Sequence, residues 1–216
     1  FFNVITGLYV PDAGTFELAG QPYKPSAVHE VARAGIARTF QNLRLFDGLS
    51  VLENLLVALQ RRPRSSVAGG LLNSAGHQRA ERQRLEAAWQ LLEELGLTAL
   101  AERQAGTLAY GDRRRLEMAR ALATGPSLLL LDEPAAGLNP SEKEGLCGLI
   151  EEIRERHQLT VMIIEHHVPL LMRLCDRMAV LDFGVRIALG TPEEVRRDPL
   201  VIEAYLGSGT GTGGSA

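Results

Sequence analysis

Residues 128–134 read LLLLDEP, and this stretch decides the fold. Four successive leucines predict a short strand that is buried on both faces, as in a parallel sheet covered by helices. Asp132 and Glu133 follow at the end of the strand, where open parallel sheets bind their ligands. One carboxylate there can hold Mg²⁺ through its waters, and the next can polarise an attacking water. A buried strand that ends in a polar turn explains the same residues, but the following AAGLNP at 135–140 favours the site.

The segments around this strand alternate between helix and strand. Upstream, residues 111–124 predict a helix that Gly125 and Pro126 end. Downstream, Asn139 caps a helix with Pro140 at its first position. The patterns then predict a buried strand at 160–164, a helix at 168–174, a hairpin of strands 178–181 and 185–189, and a helix capped at Thr191. This alternation predicts an α/β fold with a mainly parallel core.

The first half of the chain predicts a small antiparallel piece and a block of helices. A strand at 15–18 belongs to the antiparallel piece, and residues 35–40 predict a strand that delivers Gln41 to its end. Ser50 and Glu53 form a capping box. A long helix follows at 78–95, and its predicted apolar face consists of Leu85, Ala88, Trp89 and Leu92.

Composition excludes several classes of protein. The 216 residues are 45% hydrophobic and carry a net charge of −3, so we expect a substantial core and no basic face for nucleic acid. Cys147 and Cys175 lie far apart in sequence, which argues against a disulfide framework or a zinc site. No apolar run reaches the ~18–20 residues that span a bilayer, so we expect any membrane contact to go through a partner.

Three further segments carry candidate chemistry. Gly111 opens a basic helix whose first N–H groups could bind an anion, although an ordinary solvated helix start explains it too. His166 follows the strand at 160–164 and could donate to a phosphate oxygen, although a lone histidine is more often structural. Gln41 offers an amide ligand for Mg²⁺ or water, which alone is very weak support.

Taken in order, these segments resemble the ATP-binding subunits of ABC transporters. Gln41, residues 108–112, residues 128–133, Asn139 and His166 resemble the Q-loop, the signature motif, Walker B with its glutamate, the D-loop and the switch histidine. The resemblance covers residues 1–206. Four segments are similar to the ATPases of branched-chain amino-acid importers: RTFQNLRLF, LAYGDRRRLEMARALAT, LLLLDEPAAGLNP and GTPEEVRRDPLVIEAYLG.

The resemblance implies a P-loop NTPase-like core, here incomplete, with a helical subdomain and a small antiparallel β piece. Residues 1–41 and 108–206 would form the nucleotide-binding core, 42–107 the helical subdomain and 207–216 a flexible tail. It implies Glu133 as general base, His166 as a sensor of the γ-phosphate, and Asp132 and Gln41 as Mg²⁺ residues. Ala109, Tyr110, Gly111 and Asp112 would close on the nucleotide of a partner subunit, with Asn139 at the dimer seam.

The resemblance also implies partners and a place in the cell. ATP and Mg²⁺ would be the cofactors, and the protein would pair with an identical or related second ATPase. Region 42–107 would contact the transmembrane permease subunits at the cytoplasmic face of the membrane. The alternatives are an ATPase of urea or amide import, an ATPase of lipopolysaccharide export, or a docking module that does not hydrolyse ATP.

The sequence departs from the family pattern in three places. The general signature is LSGGQ and this chain has LAYGD, so Ala109 lacks the serine hydroxyl. His167 stands where many relatives have Asp. No GxxxxGK[ST] motif occurs, and residues 1–7 resemble the remainder of the helix that follows that loop. From this we expect the 216 residues alone to be inactive towards ATP, poorly stable and prone to associate.

Overall fold

The computed structural model describes residues 1–25, 27–39, 44–60 and 75–207. The chain divides into two compact units. The first contains Phe1–Leu138 and Glu152–Ile164, and the second contains Asn139–Glu151 and Glu165–Ala216.

A parallel three-stranded sheet organises the first unit. Its strands are β3 (Ile36–Arg38), β4 (Leu128–Asp132) and β5 (Thr160–Ile164), in the order β3-β4-β5. Leu128 pairs with Ile36 on one side and with Thr160 on the other. Leu129, Leu130 and Leu131 are fully buried, so the predicted burial of β4 on both faces is confirmed. The carboxyl end of β4 therefore has a strand on each side.

An antiparallel pair and two short helices pack near this sheet. The pair is β1 (Phe16–Leu18) with β2 (Gln21–Tyr23), and the helices are α1 (Phe2–Ile5) and α2 (Val28–Arg33). Phe2, Ile5, Val31, Ile36 and Leu130 form one buried apolar cluster. Burial of this much aliphatic and aromatic surface stabilises the fold by the hydrophobic effect, and it fixes α1 beside β3 and β4.

Among the residues described, three helices lie in the middle of the chain. They are α3 (Val51–Ala58), α4 (Ala75–Glu94) and α5 (Tyr110–Leu122), with short 3₁₀ turns at Thr98–Leu100 and Ala105–Thr107. Ser50 and Glu53 make the predicted capping box of α3, with both hydrogen bonds present. On α4 the predicted apolar face is wrong in part, because Leu85 and Trp89 are 42% and 38% exposed. Ala88, Leu91 and Leu92 are the buried residues at this end of α4, and Leu95, just after the helix, is buried as well.

The second unit contains most of one long helix and the C-terminal elements. Helix α6 (Pro140–Arg156) begins here, followed by α7 (Val168–Leu174), the antiparallel strands β6 (Met178–Asp182) and β7 (Val185–Gly190), α8 (Pro192–Arg197) and α9 (Pro199–Gly207). Ala188, Val195 and Val201 form its buried cluster. The predicted hairpin and the Thr191 cap are confirmed.

The α/β class, with a parallel sheet and small antiparallel pieces, is confirmed. The prediction that 160–164 is a buried strand is wrong in its burial, because Thr160, Met162 and Ile164 lie on one exposed face of β5. Within the described residues β5 is an edge strand of its sheet, where fewer neighbours cover it. No helix in the described ranges is long and apolar enough to cross a bilayer.

Candidate functional site

The carboxylate of Asp132 is held at the end of β4 by Arg38. Arg38 Nη2 donates to Asp132 Oδ2 at 2.7 Å, and the two side chains are 10% and 21% exposed. A charge-assisted hydrogen bond of this length, largely shielded from water, is stronger than a neutral one. It engages Oδ2 of Asp132, and Oδ1 takes no part in this bond.

Arg38 is itself fixed by helix α1. Its Nη1 donates to Asn3 Oδ1 at 2.7 Å and to Thr6 Oγ1 at 3.2 Å, and its guanidinium lies 5.4 Å from the centre of the Phe2 ring. The planar guanidinium can serve several acceptors at once from one fixed orientation. Arg38 therefore connects α1, the end of β3 and the end of β4, a role that sequence reasoning missed.

Thr39 makes a second connection between the ends of β3 and β4. Its N–H donates to the Leu130 carbonyl at 2.9 Å, and its buried hydroxyl oxygen accepts from the Asp132 N–H at 3.4 Å. The backbone on which the Asp132 carboxylate is mounted is thereby tied to the neighbouring strand.

Glu133 occupies an unusual backbone position. Its φ is +47°, in the left-handed region that non-glycine residues seldom adopt. The Glu133 N–H donates to the Ile164 carbonyl at 2.9 Å, so the chain is held to β5 where it turns. The Ala136 N–H then donates to the Glu133 carbonyl at 3.1 Å, and the Leu138 N–H to the Ala135 carbonyl at 3.2 Å. Two consecutive turns over 133–138 thus hold the backbone from which the Glu133 side chain extends.

The start of α5 presents the predicted signature residues. Helix α5 begins at Tyr110, one residue earlier than predicted, and Ala109 is its N-cap without a side-chain cap hydrogen bond. A serine at this position could have capped the helix, whereas the alanine methyl cannot. Asp112 lies in the first turn, 3.9 Å from Arg115 Nη1. The N–H groups of the first turn, including that of Gly111, have no partner within the helix and can donate to an anion.

The side chain of Tyr110 turns towards its own subunit. Arg114 Nη2 donates to the Tyr110 hydroxyl oxygen at 2.8 Å, and the guanidinium lies 5.3 Å from the ring centre. Arg114 and Glu117 are both buried and form an ion pair at 3.5 Å. The ring also approaches Gly137, where an added Cβ would lie 3.3 Å from Tyr110 Cε1.

Residues 44–49 pack onto the same helix. Arg113 Nη2 donates to Asp47 Oδ1 at 2.7 Å, and Arg120 donates to the Arg44 carbonyl and lies 4.8 Å from the centre of the Phe46 ring. Burial lowers the pKa of Arg120 from its ordinary value, and the negative charge of Glu117 opposes that shift. Gln41, which precedes this segment, lies outside the described residues.

In the second unit, Asn139 caps α6 as predicted. Its Oδ1 accepts from the Glu142 N–H at 2.9 Å, and the Asn139 N–H donates to Glu142 Oε2 at 2.8 Å. These two reciprocal bonds satisfy donors that a helix N-terminus otherwise leaves unpaired.

His166 and its neighbours are ordered by Glu165. The Glu165 side chain is 1% exposed, and its Oε2 accepts from the N–H of His166 at 3.0 Å and of His167 at 3.3 Å. The His166 side chain is 75% exposed. Sequence reasoning gave Glu165 no role, and a carboxylate directly before two histidines at the end of a strand is the signal that could have found it.

The residues at the end of β4 fit a magnesium site of the kind that substrates complete. Mg²⁺ keeps several waters and is usually bound by one or two carboxylates together with substrate phosphates. Asp132 supplies such a carboxylate. Within the described residues no group of three or more Asp, Glu, His or Cys side chains could hold a metal.

Comparison with protein-family models and with known proteins finds relatives of this chain. The family model for "ABC transporter" matches residues 1–136, and that for "Branched-chain amino acid ATP-binding cassette transporter" matches residues 185–210. The high-affinity branched-chain amino acid transport ATP-binding protein BraF of Pseudomonas aeruginosa is 47% identical over 206 residues, which are 95% of this chain and 81% of that protein.

Two further relatives extend the comparison. The lipopolysaccharide export system ATP-binding protein LptB of Acidithiobacillus ferridurans is 36% identical over 95% of this chain and 79% of its own length. The crystal structure of an ATP-binding cassette of an ABC transporter in its ADP conformation matches with a TM-score of 0.78 and 30% identity, over 95% of this chain and 82% of that one. The family match over more than half of the chain, together with these identities, establishes that this chain belongs to the ATP-binding subunits of ABC transporters.

Proposed function

We propose that this chain is the ATP-hydrolysing subunit that energises an importer of branched-chain amino acids. The observation that carries the substrate class is the difference between relatives. Identity is 47% to a branched-chain amino acid transport subunit and 36% to a lipopolysaccharide export subunit, over the same share of this chain. The match of residues 185–210 to a branched-chain amino acid cassette model supports the same choice.

The end of β4 carries the proposed chemistry. ATP brings its phosphates together with Mg²⁺, which neutralises charge on the transferred phosphoryl group. Asp132, oriented by Arg38, would hold a water of that Mg²⁺ through Oδ1. Glu133 would accept a proton from the attacking water, and its left-handed backbone and the hydrogen bond to Ile164 fix where its carboxylate starts.

A second ATPase subunit, identical or related, would complete the arrangement. The start of α5 would face the nucleotide of that subunit, because the first N–H groups of a helix favour an anion. The residues concerned are Ala109, Tyr110, Gly111 and Asp112. Three roles remain predictions: Asn139 at the dimer seam, His166 as γ-phosphate sensor, and Gln41 as a ligand of Mg²⁺ and water. Their support is the ordered set of motifs in a chain of this family.

The permease subunits would dock on the helices of region 42–107. In this region Asn54 of α3 accepts a hydrogen bond from the Phe46 N–H, which holds α3 to residues 44–49. Asp47 of that segment forms an ion pair with Arg113 of α5. A movement of the permease against this region would therefore be transmitted to the start of α5 through the ion pair of Asp47 with Arg113. The protein would act at the cytoplasmic face of the membrane, attached through those subunits.

Glu133→Gln tests the chemistry, on protein expressed from its full gene and assembled with its membrane subunits. We expect ATP turnover to fall by about 100-fold or more, since general-base catalysis contributes about that much, while ATP binding persists. The matched control is Glu193→Gln, at an exposed position in the first turn of α8, which should keep full turnover. Unchanged turnover in Glu133→Gln would exclude Glu133 as the base.

Transport in cells tests the substrate class. The full gene, placed in a bacterium that lacks the ATPase of its own branched-chain amino-acid importer and supplied with the cognate permeases, should restore uptake of labelled leucine. The Glu133→Gln variant should not restore it. Rescue of a lipopolysaccharide-export defect instead of leucine uptake would overturn the import assignment while leaving the ATPase assignment intact.

A further inference from the structure

The Tyr110 residue is 43% exposed, and its ring contacts two parts of its own subunit. It meets Gly137, where an added Cβ would come within 3.3 Å of Cε1. Arg114 lies over the ring, 5.3 Å from its centre, and donates to its hydroxyl oxygen at 2.8 Å. Gly137 has φ of +77° and carries no side chain, so the ring can approach the backbone of 135–138 closely.

Arg114 makes the ring a rigid contact. The guanidinium is buried and is paired with Glu117, which is also buried and belongs to the next turn of α5. Moving a buried, paired charge is costly. The position of the Tyr110 ring is therefore tied to the body of α5, since its hydroxyl accepts from that guanidinium.

The segment against which the ring rests is the one that positions Glu133. Residues 133–138 form two consecutive turns that begin at the left-handed Glu133. A non-glycine residue in that region stores strain and persists only when its surroundings determine its conformation. The hydrogen bond from Glu133 to Ile164 holds one end of the segment, and the Tyr110 ring is in place to hold the other.

We propose that Tyr110 is a positioning residue: its side chain braces the 133–138 turns within the same subunit and so keeps Glu133 in its working orientation. In proteins with the general signature LSGGQ, glycine stands at the position of Tyr110, so those proteins have no side chain that could make this contact. This assignment rests on the proposed role of Glu133 as general base. The side chain of Tyr110 thereby acts in its own subunit, while the backbone N–H groups at the helix start remain available to a partner's nucleotide.

Hydrogen exchange on the full-length protein tests the brace without requiring hydrolysis. In Tyr110→Ala we expect the amides of Ala136 and Leu138 to exchange about fivefold faster, the factor that corresponds to the roughly 1 kcal/mol of an aromatic contact. Tyr110→Phe keeps the ring against Gly137 and should restore most of the protection. The amides of 160–163 in β5 should not change. Unaltered exchange of Ala136 and Leu138 in Tyr110→Ala would overturn the brace, whatever the ATPase activity proves to be.

A double-variant cycle tests the contact itself. Gly137→Ala places a methyl group against the ring and strains the backbone, so it should destabilise the protein. In the Tyr110→Ala background only the backbone strain remains, so the same change should lower the unfolding midpoint by a smaller amount. Equal shifts in the two backgrounds would mean that the two residues do not interact, and would overturn the proposal.

Steady-state kinetics separates positioning from nucleotide binding. If the ring positions Glu133, Tyr110→Ala should lower kcat by about 10- to 100-fold, as small misplacements of catalytic groups do, with little change in the ATP concentration for half-maximal rate. Phe183→Gly, which removes a fully exposed aromatic at the β6–β7 turn, is the control for loss of an aromatic and should keep kcat. A weakened ATP half-saturation with unchanged kcat would assign Tyr110 to the partner's nucleotide instead.

Discussion

Arg38 holds Asp132 and Asn3 at the same time, with two nitrogens of one guanidinium. Nη2 donates to Asp132 Oδ2 at 2.7 Å and Nη1 to Asn3 Oδ1 at 2.7 Å. The carboxylate proposed to serve the metal is thus linked directly to helix α1. Because Arg presents its donors in a fixed plane, a shift of α1 would be transmitted to the orientation of Asp132.

Replacing Arg38 should weaken both stability and the use of Mg²⁺. Arg38→Met leaves the partly buried Asp132 carboxylate without its partner, so we expect the free energy of unfolding to fall by about 2 kcal/mol. We also expect ATPase activity to need more Mg²⁺ for half-maximal rate, since Asp132 loses its orientation. Urea unfolding and a Mg²⁺ titration measure the two effects.

Two further variants sharpen this prediction. Arg38→Lys keeps the charge but not the fork of donors, so it should recover only part of the loss. Arg33→Met, at an exposed position at the end of α2, is the matched control and should leave both measurements unchanged. If Arg38→Met behaves like Arg33→Met, the Arg38–Asp132 pair contributes nothing measurable.

The pH dependence of stability should change when Tyr23 is replaced. The Tyr23 hydroxyl donates to the Ile5 carbonyl at 2.9 Å, and burial raises the pKa of this phenol above its ordinary value of 10.0. Below pH 10 both folded and unfolded states keep the proton. Above it the unfolded state loses the proton first, so the free energy of unfolding should fall as pH rises.

Tyr23→Phe cannot ionise, so its unfolding free energy should fall less steeply above pH 10 than that of the wild type. At neutral pH it should be less stable by about 1 kcal/mol, the net worth of one hydrogen bond. Tyr9→Phe, which removes a phenol hydroxyl at an exposed position, is the control for the loss of stability at neutral pH and should show none. Parallel curves for Tyr23→Phe and the wild type would show that Tyr23 ionises equally in both states.

The features that the sequence predicts correctly are those set by residues close together in the chain. The capping box at Ser50 and the Asn139 cap were predictable because each involves residues three apart. The burial of 129–131 was predictable because four successive leucines have no polar face to expose. The exposure of Met162 was not, because it depends on how many strands flank β5.

The same limit applies to the candidate site. Asp132 and Glu133 could be proposed because their position after a strand is a local pattern. The bond from Arg38 to Asp132 joins residues 94 apart in sequence, and only the parallel register of β3 and β4 brings them together. The contact between Tyr110 and Gly137 likewise depends on tertiary packing. Pattern reasoning located carboxylates and glycines, but the residues that orient them required coordinates.

The two cysteines should differ in their reactivity. Cys147 is buried on α6, and burial raises the pKa of its thiol, although the positive charge of Arg173 opposes the shift. Cys175 is partly exposed. Because the thiolate is the reactive species, iodoacetamide at neutral pH should alkylate Cys175 more than about tenfold faster than Cys147. Peptide mass analysis at timed intervals measures this, with equal rates expected in denaturant. Equal rates in the native protein would contradict the burial of Cys147.

Asn54 should be among the most sensitive positions in the helical region. It is fully buried, and its Oδ1 accepts from the Phe46 N–H at 3.0 Å. Its Nδ2 donates to the carbonyls of Phe46 at 3.1 Å and Ser50 at 2.9 Å. One side chain thus satisfies several backbone groups of the segment that leads into α3.

Asn54→Leu has a similar volume but leaves those groups unpaired in the interior. Since each unsatisfied buried group costs about 1–3 kcal/mol, we expect the free energy of unfolding to fall by about 3 kcal/mol. Asn54→Asp keeps the acceptor and loses the donors, so it should also destabilise the protein. Glu53→Gln keeps an acceptor oxygen for the Ser50 N–H, so it is the control and should leave the free energy of unfolding nearly unchanged.

The pairing between Asp47 and Arg113 gives this prediction a second measurement. If Asn54 orders residues 46–50, its replacement should also loosen Asp47 and weaken that ion pair. Arg113→Gln should then destabilise the wild type by more than it destabilises Asn54→Leu, because the pair is already lost in the second background. Additive losses of stability would mean that Asn54 stabilises α3 alone and has no influence on the contact with α5.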